Sequence, residues 1–296
     1  MRVHHLDCGS MTPFGGGLID GQPGLARRVA MVCHCLLIEG SNGLILVDTG
    51  LGLADVADPR GRLGPGFATL MGARLDAEQT AARQVEKLGF KRSDVREIVV
   101  THLDLDHAGG LTDFPEARVH VHGTEHEAAM SRRSFKEKNR YRSVQWAHPV
   151  KWSTHGIPSG EPWFGFDSVR SLDDANDRKN GGDDVLLIPL HGHTRGHCGV
   201  AVRTSNPGAD VASNAESGWL LHCGDAYFHR ATIGVDGPKV PTGLSVFESM
   251  IEIDRDARVN NQRRLRALAE QHGDEVKLFC AHDPVEWKRL VEGSAS

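Results

Sequence analysis

No stretch of the 296 residues runs for about eighteen apolar positions, so an α-helical membrane span is excluded. The opening residues, Met1-Arg2-Val3-His4-His5-Leu6-Asp7-Cys8, carry no apolar signal core, which predicts a cytoplasmic protein. No Gly-x-Ser-x-Gly elbow occurs, so the usual serine nucleophile for acyl transfer is missing. The glycine-rich stretch Thr12-Pro13-Phe14-Gly15-Gly16-Gly17 is not followed by a Lys-Ser/Thr helix start, which argues against a P-loop. There is no internal repeat. None of the six cysteines, at 8, 33, 35, 198, 223 and 280, forms a Cys-x-x-Cys pair. Scattered thiols of this kind fit a reducing compartment, with a thiolate metal site as the minor alternative. A net charge of −5 gives no reason to expect nucleic acid. The 39% hydrophobic and 25% charged content are ordinary for a globular protein.

What is abundant is histidine, at seventeen residues. The chain is organised around Thr101-His102-Leu103-Asp104-Leu105-Asp106-His107-Ala108-Gly109-Gly110. The β-branched run Ile98-Val99-Val100 just before it reads as a buried strand. Two imidazoles and two carboxylates therefore leave one strand tip together. Groups this close would repel or desolvate one another without a cation to share. Imidazole and carboxylate ligands suit Zn, Fe or Mn.

Four further elements follow the same logic: Leu46-Val47-Asp48-Thr49-Gly50, Gly192-His193-Thr194-Arg195-Gly196-His197, Gly224-Asp225 and Ala281-His282-Asp283. Strands are predicted over 3–8, 29–38, 44–47, 117–121, 184–190, 200–203, 219–223 and 276–280. Asn42-Gly43 signals the hairpin between the second and third. Helices are predicted over 76–88, capped by Asp76, over 124–130, capped by Thr124, and over 255–272. Residues 55–73 read as loop. Every candidate ligand falls at the C-terminal end of a strand, where α/β folds place their sites.

These five elements, in this order and spacing, resemble the metallo-β-lactamase fold superfamily, whose signature is His-x-His-x-Asp-His. The resemblance covers most of the chain. It implies an α/β fold, the four-layer αβ/βα sandwich, as one domain over 1–296. An irregular insertion at about 131–182 holds six basic residues between 132 and 142, then several aromatic ones, and could act as a lid with an aromatic wall and a few cations.

The resemblance further implies two divalent metal ions, one held by His102, Asp104 and His193 and the other by Asp106, His107 and His282. Asp225 would bridge them together with a hydroxide that serves as nucleophile. His191 and His197 compete with His193, which matches the motif position. Asp48 would orient a ligand histidine, or else simply form the turn before Gly50. Asp106 could pass the proton to the leaving group. Met11, Phe14, Tyr227 and Phe228 are candidate pocket residues.

One position departs from the signature, since Asp104 stands where a second His is usual. By formal count this carboxylate takes the site from about one net positive charge to about zero. Zinc remains the expected metal, with Fe or Mn as alternatives because of the added oxygen ligand. A one-metal or redox site is the other outcome, but the flavodoxin-like segment of redox relatives is missing.

The implied activity is hydrolysis of a small carboxylic ester or lactone. Lactonases that open acyl-homoserine lactones have similar length and layout. Some of them place a Tyr three residues beyond the bridging Asp, where this chain has Phe228, with Tyr227 one residue earlier. A glyoxalase II-like thioesterase and a non-catalytic ligand-binding or regulatory protein on the same fold are the alternatives. The expected partners are a small-molecule substrate and a second copy of the chain, with no membrane and no nucleic acid.

Overall fold

The computed structural model describes residues 1–156, 162–166, 170–171, 185–204, 218–234 and 239–294. Its first sheet contains β1 (Arg2–Asp7), β2 (His34–Gly40), β3 (Gly43–Val47), β4 (Val95–Val99), β5 (Arg118–His122) and β6 (Lys151–His155), in that spatial order. β1 to β3 run antiparallel, and β3 to β6 are parallel. The second sheet contains β7 (Arg170–Ser171), β8 (Val185–Pro189), β9 (Cys198–Thr204), β10 (Gly218–His222) and β11 (Val276–Phe279), in the order β11-β10-β9-β8-β7.

Side-chain alternation along the strands builds the layers. On β2 and β3, Leu36, Ile38, Ile45 and Val47 join Val200, Val202, Leu220 and Phe279 of the second sheet in one core between the sheets. Their neighbours Cys35, Leu37, Leu44 and Leu46 point the other way, onto Ala81, Ala82 and Val85 of the helix Ala81–Lys87. On the far side, Ile188, Ala201 and Leu221 meet Leu265 and Leu268 of the helix Arg255–His272. The strands are apolar on both faces because both faces are covered, and the result is the αβ/βα sandwich.

The long helix 255–272 matches the sequence expectation, and Asp254 caps it by accepting from Ala257 N at 3.0 Å. Other boundaries differ. Asp76 caps only a short 3₁₀ turn, Ala77–Gln79, and Thr80 caps the helix that follows. The helix Gly123–Ser131 takes His122, not Thr124, as its cap. The stretch 55–73, expected as loop, lies largely within three short helices, Leu53–Ala57, Pro59–Leu63 and Phe67–Met71. Proline at the start of the second is pre-set for a helix, and glycines 64 and 72 stop the second and third after about one turn.

The stretch 131–182 is regular where it is described up to residue 155. It holds the helix Phe135–Arg140 and the sheet strand β6. The expected aromatic wall is not found there among the described residues. Trp146 and Trp152 pack in the first-sheet core, and Trp163 and Phe166 pack in the second-sheet core. Residues 157–161, 167–169 and 172–182 of the expected insertion lie outside the described residues.

Candidate metal centre

β3 and β4 end side by side, with Val47 opposite Val99, so Asp48 and Thr101 emerge together. Asp48 sits at φ 54°, a left-handed conformation that Asp tolerates better than most side chains. Its carboxylate accepts three hydrogen bonds: Thr101 N at 2.7 Å, Thr101 Oγ1 at 2.8 Å and His107 Nδ1 at 2.8 Å. Burial opposes its charge, but the His107 imidazole holds the carboxyl below its usual range.

These bonds fix two tautomers. With Nδ1–H of His107 committed to Asp48, its Nε2 faces the site. The Thr101 hydroxyl spends its proton on Asp48, so His102 Nδ1 must donate to Thr101 Oγ1, at 2.9 Å, and its Nε2 also faces inward. From the second sheet, His282 donates Nδ1–H to Val32 O at 2.7 Å and turns Nε2 toward Asp225 Oδ1 at 3.1 Å. His193 Nε2 lies 3.0 Å from Asp104 Oδ2 and 3.4 Å from Asp225 Oδ2. Asp106 Oδ2 is 3.6 Å from His282 Nε2. All the sequence-derived ligands thus converge from strand ends of both sheets.

The other two histidines of the 191–197 segment are engaged elsewhere. His197 donates Nδ1–H to Leu190 O at 3.0 Å and accepts from Asp225 N at 2.9 Å, so it fixes the backbone that carries Asp225. Gly224, at φ 54°, lets that backbone approach, since a Cβ there would lie 2.6 Å from His197 Nε2. His191 packs against His122 instead.

A cation fits these groups. His102 Nε2, His107 Nε2 and Asp225 Oδ1 are buried without a hydrogen-bond partner, and native proteins rarely leave such atoms unpaired. Single ligand atoms of His102, Asp104 and His193 lie within 4.8 Å of one another. The same holds for His102, His107 and Asp225, and for Cys33, Asp106 and His282. Burial would raise the Asp225 carboxyl, yet His282 and His107 hold it well below the usual range. Burial disfavours charge on His107, but Asp225 and Asp48 push its imidazole well above the usual value. Burial, aided by Arg140, pushes His193 down to about 4, so this ring is neutral and able to donate its lone pair.

Arg140, one of the six basic residues expected to bring a few cations over the site, does reach it, as does Lys136, and Glu125, which the sequence did not single out, also shapes it. Arg140 Nε pairs with Asp104 Oδ1 at 3.3 Å, while its other nitrogens donate to His193 O at 2.7 Å and Ile251 O at 2.6 Å. Burial would raise the Asp104 carboxyl, but Arg140 and then His102 hold it well below the usual range. Glu125 is fully buried and ties two ligand loops together. It accepts from Leu103 N at 3.1 Å and Gly196 N at 3.0 Å, and also from Tyr141 OH at 3.0 Å.

Above the cluster lies a cavity of about 310 Å³. Asp104, Asp106, His193, Asp225 and His282 form its floor. Met11, Met31, Phe67, Met71, Phe228, Phe247 and Ile251 supply an apolar wall, and Lys136, Asn139 and Arg140 a polar edge. Phe228 stacks on His282 with 5.3 Å between ring centroids. Two pocket expectations are corrected. Phe14 is 65% exposed, under the Arg28 guanidinium, and Tyr227 is buried beneath the site with its hydroxyl on Glu286. Neither lines the cavity.

A family model described as the metallo-beta-lactamase superfamily matches residues 28–205. A "probable metallo-hydrolase" of Mycobacterium tuberculosis is 44% identical over 285 residues, which is 96% of this chain and 81% of that protein. The N-acyl homoserine lactonase AttM of Rhizobium radiobacter is 27% identical over 85% of this chain and 81% of its own length. Among solved structures, an N-acyl homoserine lactone hydrolase with N-hexanoyl-L-homoserine bound at its catalytic metal centre superposes with a TM-score of 0.65. It is 19% identical and covers 97% of this chain and 94% of that one.

Proposed function

The chain belongs to the metallo-β-lactamase superfamily, and from that premise we propose that it is a metal-dependent hydrolase of a small carboxylic ester or lactone. The observation that carries this reading is the set of buried, unpartnered atoms His102 Nε2, His107 Nε2 and Asp225 Oδ1, gathered with the carboxylates and imidazoles that floor a cavity with an apolar wall. His102, Asp104 and His193 would hold one divalent cation and Asp106, His107 and His282 the other, with Asp225 available to both. Zinc is the first candidate for the pair, and the extra carboxylate of Asp104 widens the choice to Mn or Fe. Such cations supply Lewis acidity toward a carbonyl oxygen and make water acidic enough to attack near neutral pH.

The protein's own groups do the rest. Asp48 locks the His107 tautomer, and His197 sets the Asp225 backbone. The apolar wall takes the acyl part of the substrate and excludes bulk water. Asp106, which faces the cavity, passes a proton to the leaving oxygen. The lactone preference draws support from relatives described as N-acyl homoserine lactonases. The glyoxalase II-like thioesterase is the second reading, because Lys136 and Arg140 on the cavity edge are cations that an anionic substrate would need.

The test is mass spectrometry of an N-acyl lactone incubated with metal-loaded protein. Gain of one water per molecule, abolished by chelation and restored by metal, is the expected result. An unchanged lactone in the presence of two bound metals contradicts the substrate class.

A further inference from the structure

We propose that Cys33 is a sulfur ligand in the second metal position, beside Asp106 and His282. The inference rests on the reading of the site as a metal centre and adds to it a donor of a different kind.

Cys33 is 2% exposed, and its sulfur, one Asp106 oxygen and one His282 nitrogen lie within 4.8 Å of one another. The backbone explains how it comes to be there. The segment entering β2 lies along the His282 loop, with His34 N donating to Ala281 O at 2.9 Å and His282 Nδ1 donating to Val32 O at 2.7 Å. Cys33 lies between Val32 and His34. Its own N–H donates to Asp7 Oδ1 at 3.0 Å, and its carbonyl accepts from Cys8 N at 2.8 Å. The residue is thus held through its main chain on the side of β1.

The plainer reading is a core thiol, packed with Met11, Met31 and Phe228 and donating to Gly9 O at 3.0 Å. That bond uses the single thiol proton and leaves the sulfur lone pairs free. They are close to a carboxylate and an imidazole, groups that an apolar thiol site would not gather. Asp225 Oδ1, buried without a hydrogen-bond partner, lies 3.1 Å from the His282 Nε2 of this group, and His107 Nε2, equally unpartnered, lies 3.3 Å from that oxygen. A cation drawn to them comes within reach of a sulfur, which is among the preferred ligands of zinc. On binding, the S–H bond breaks, its proton leaves to solvent, a sulfur–metal bond forms and the hydrogen bond to Gly9 O is given up.

The two metal positions would then differ in softness. The first has a carboxylate held by Arg140, and the second has a thiolate. The second position should discriminate for zinc or cobalt over manganese.

X-ray absorption at the zinc edge tests this directly on the intact, zinc-loaded chain. A sulfur scatterer at about 2.3 Å, one per two zinc ions, is expected. Cys33→Ser keeps the packing and the hydrogen bond to Gly9 O, and should remove the sulfur signal with zinc still bound. Cys33→Ala provides a second variant if the serine perturbs folding. Cobalt-loaded protein should show a sulfur-to-metal charge-transfer band that both variants lose. A shell of nitrogen and oxygen alone in the wild type with two zinc ions bound overturns the proposal, as does a sulfur signal that survives in the variants. Protein that takes up no divalent metal overturns the metal-centre reading itself, a different failure from loss of the sulfur.

Discussion

Arg140 and Asp104 form a pair at the edge of the candidate metal centre. Arg140 Nε lies 3.3 Å from Asp104 Oδ1, while His193 Nε2 and His102 Nε2 face Asp104 Oδ2 at 3.0 and 3.5 Å. One carboxylate oxygen is thus held by a guanidinium and the other is left for the site. The extra negative charge at 104 comes with an extra positive charge at 140, which returns the formal charge of the centre to that expected with histidine at this position.

It follows that Asp104→His should be harmful alone and tolerated with a second change. The single variant leaves the Arg140 guanidinium, only 9% exposed, beside an imidazole. Thermal unfolding in chelator should show a loss of about 3 kcal/mol, and Asp104→His with Arg140→Met should recover part of it, since methionine removes the buried charge but leaves His193 O and Ile251 O without their donors. The double variant should also bind zinc in preference to manganese or iron when all three are supplied equally. Equal stability of the single and double variants, or unchanged metal content, contradicts the pairing.

Asp48→Asn keeps the size of the side chain and suits the same backbone conformation. It cannot accept from His107 Nδ1, Thr101 N and Thr101 Oγ1 together, as the carboxylate does. Zinc affinity, measured by competition with a chromophoric chelator, should fall about 10- to 100-fold. An unchanged affinity would mean that Asp48 only shapes the turn.

The cluster of candidate ligands was legible because each member sits at a strand end inside a short motif. The strand ends follow from runs such as Ile98-Val99-Val100, and the sheets bring the motifs together. The pairing of Arg140 with Asp104, and the role of Glu125, were not legible. Their partners lie at 103, 104, 193 and 196, across turns that no local pattern encodes. The helix Phe135–Arg140 buries only Glu137, so it has no apolar stripe to reveal it. Phe14 and Tyr227 were misplaced for a related reason. An aromatic residue near a motif is equally compatible with the cavity, the surface and the layer beneath.

That layer gives a pH signature. Burial, followed by the Asp283 charge, pushes Glu286 up to about 8 from an ordinary value of 4.5. The folded state therefore keeps its proton where the unfolded state loses it. The stability associated with the protonated form is complete below pH 4.5 and is lost as pH rises toward about 8, with a slope of up to about 1.4 kcal/mol per pH unit. Glu286→Gln should remove that component, so its unfolding free energy should fall less with rising pH than that of the wild type. Parallel curves for the two proteins across this window would contradict the assignment.

Metal-dependent opening of a carboxylic ester or lactone releases a proton, and that proton can be titrated. Protein loaded in turn with zinc, manganese and iron would be offered lactones, esters and thioesters in a pH-stat. Each lactone opened gives one acid. The account predicts rapid release from lactones, dependent on added metal and abolished by Asp225→Ala. Release from thioesters alone, or none from any substrate with two metals bound, would contradict it.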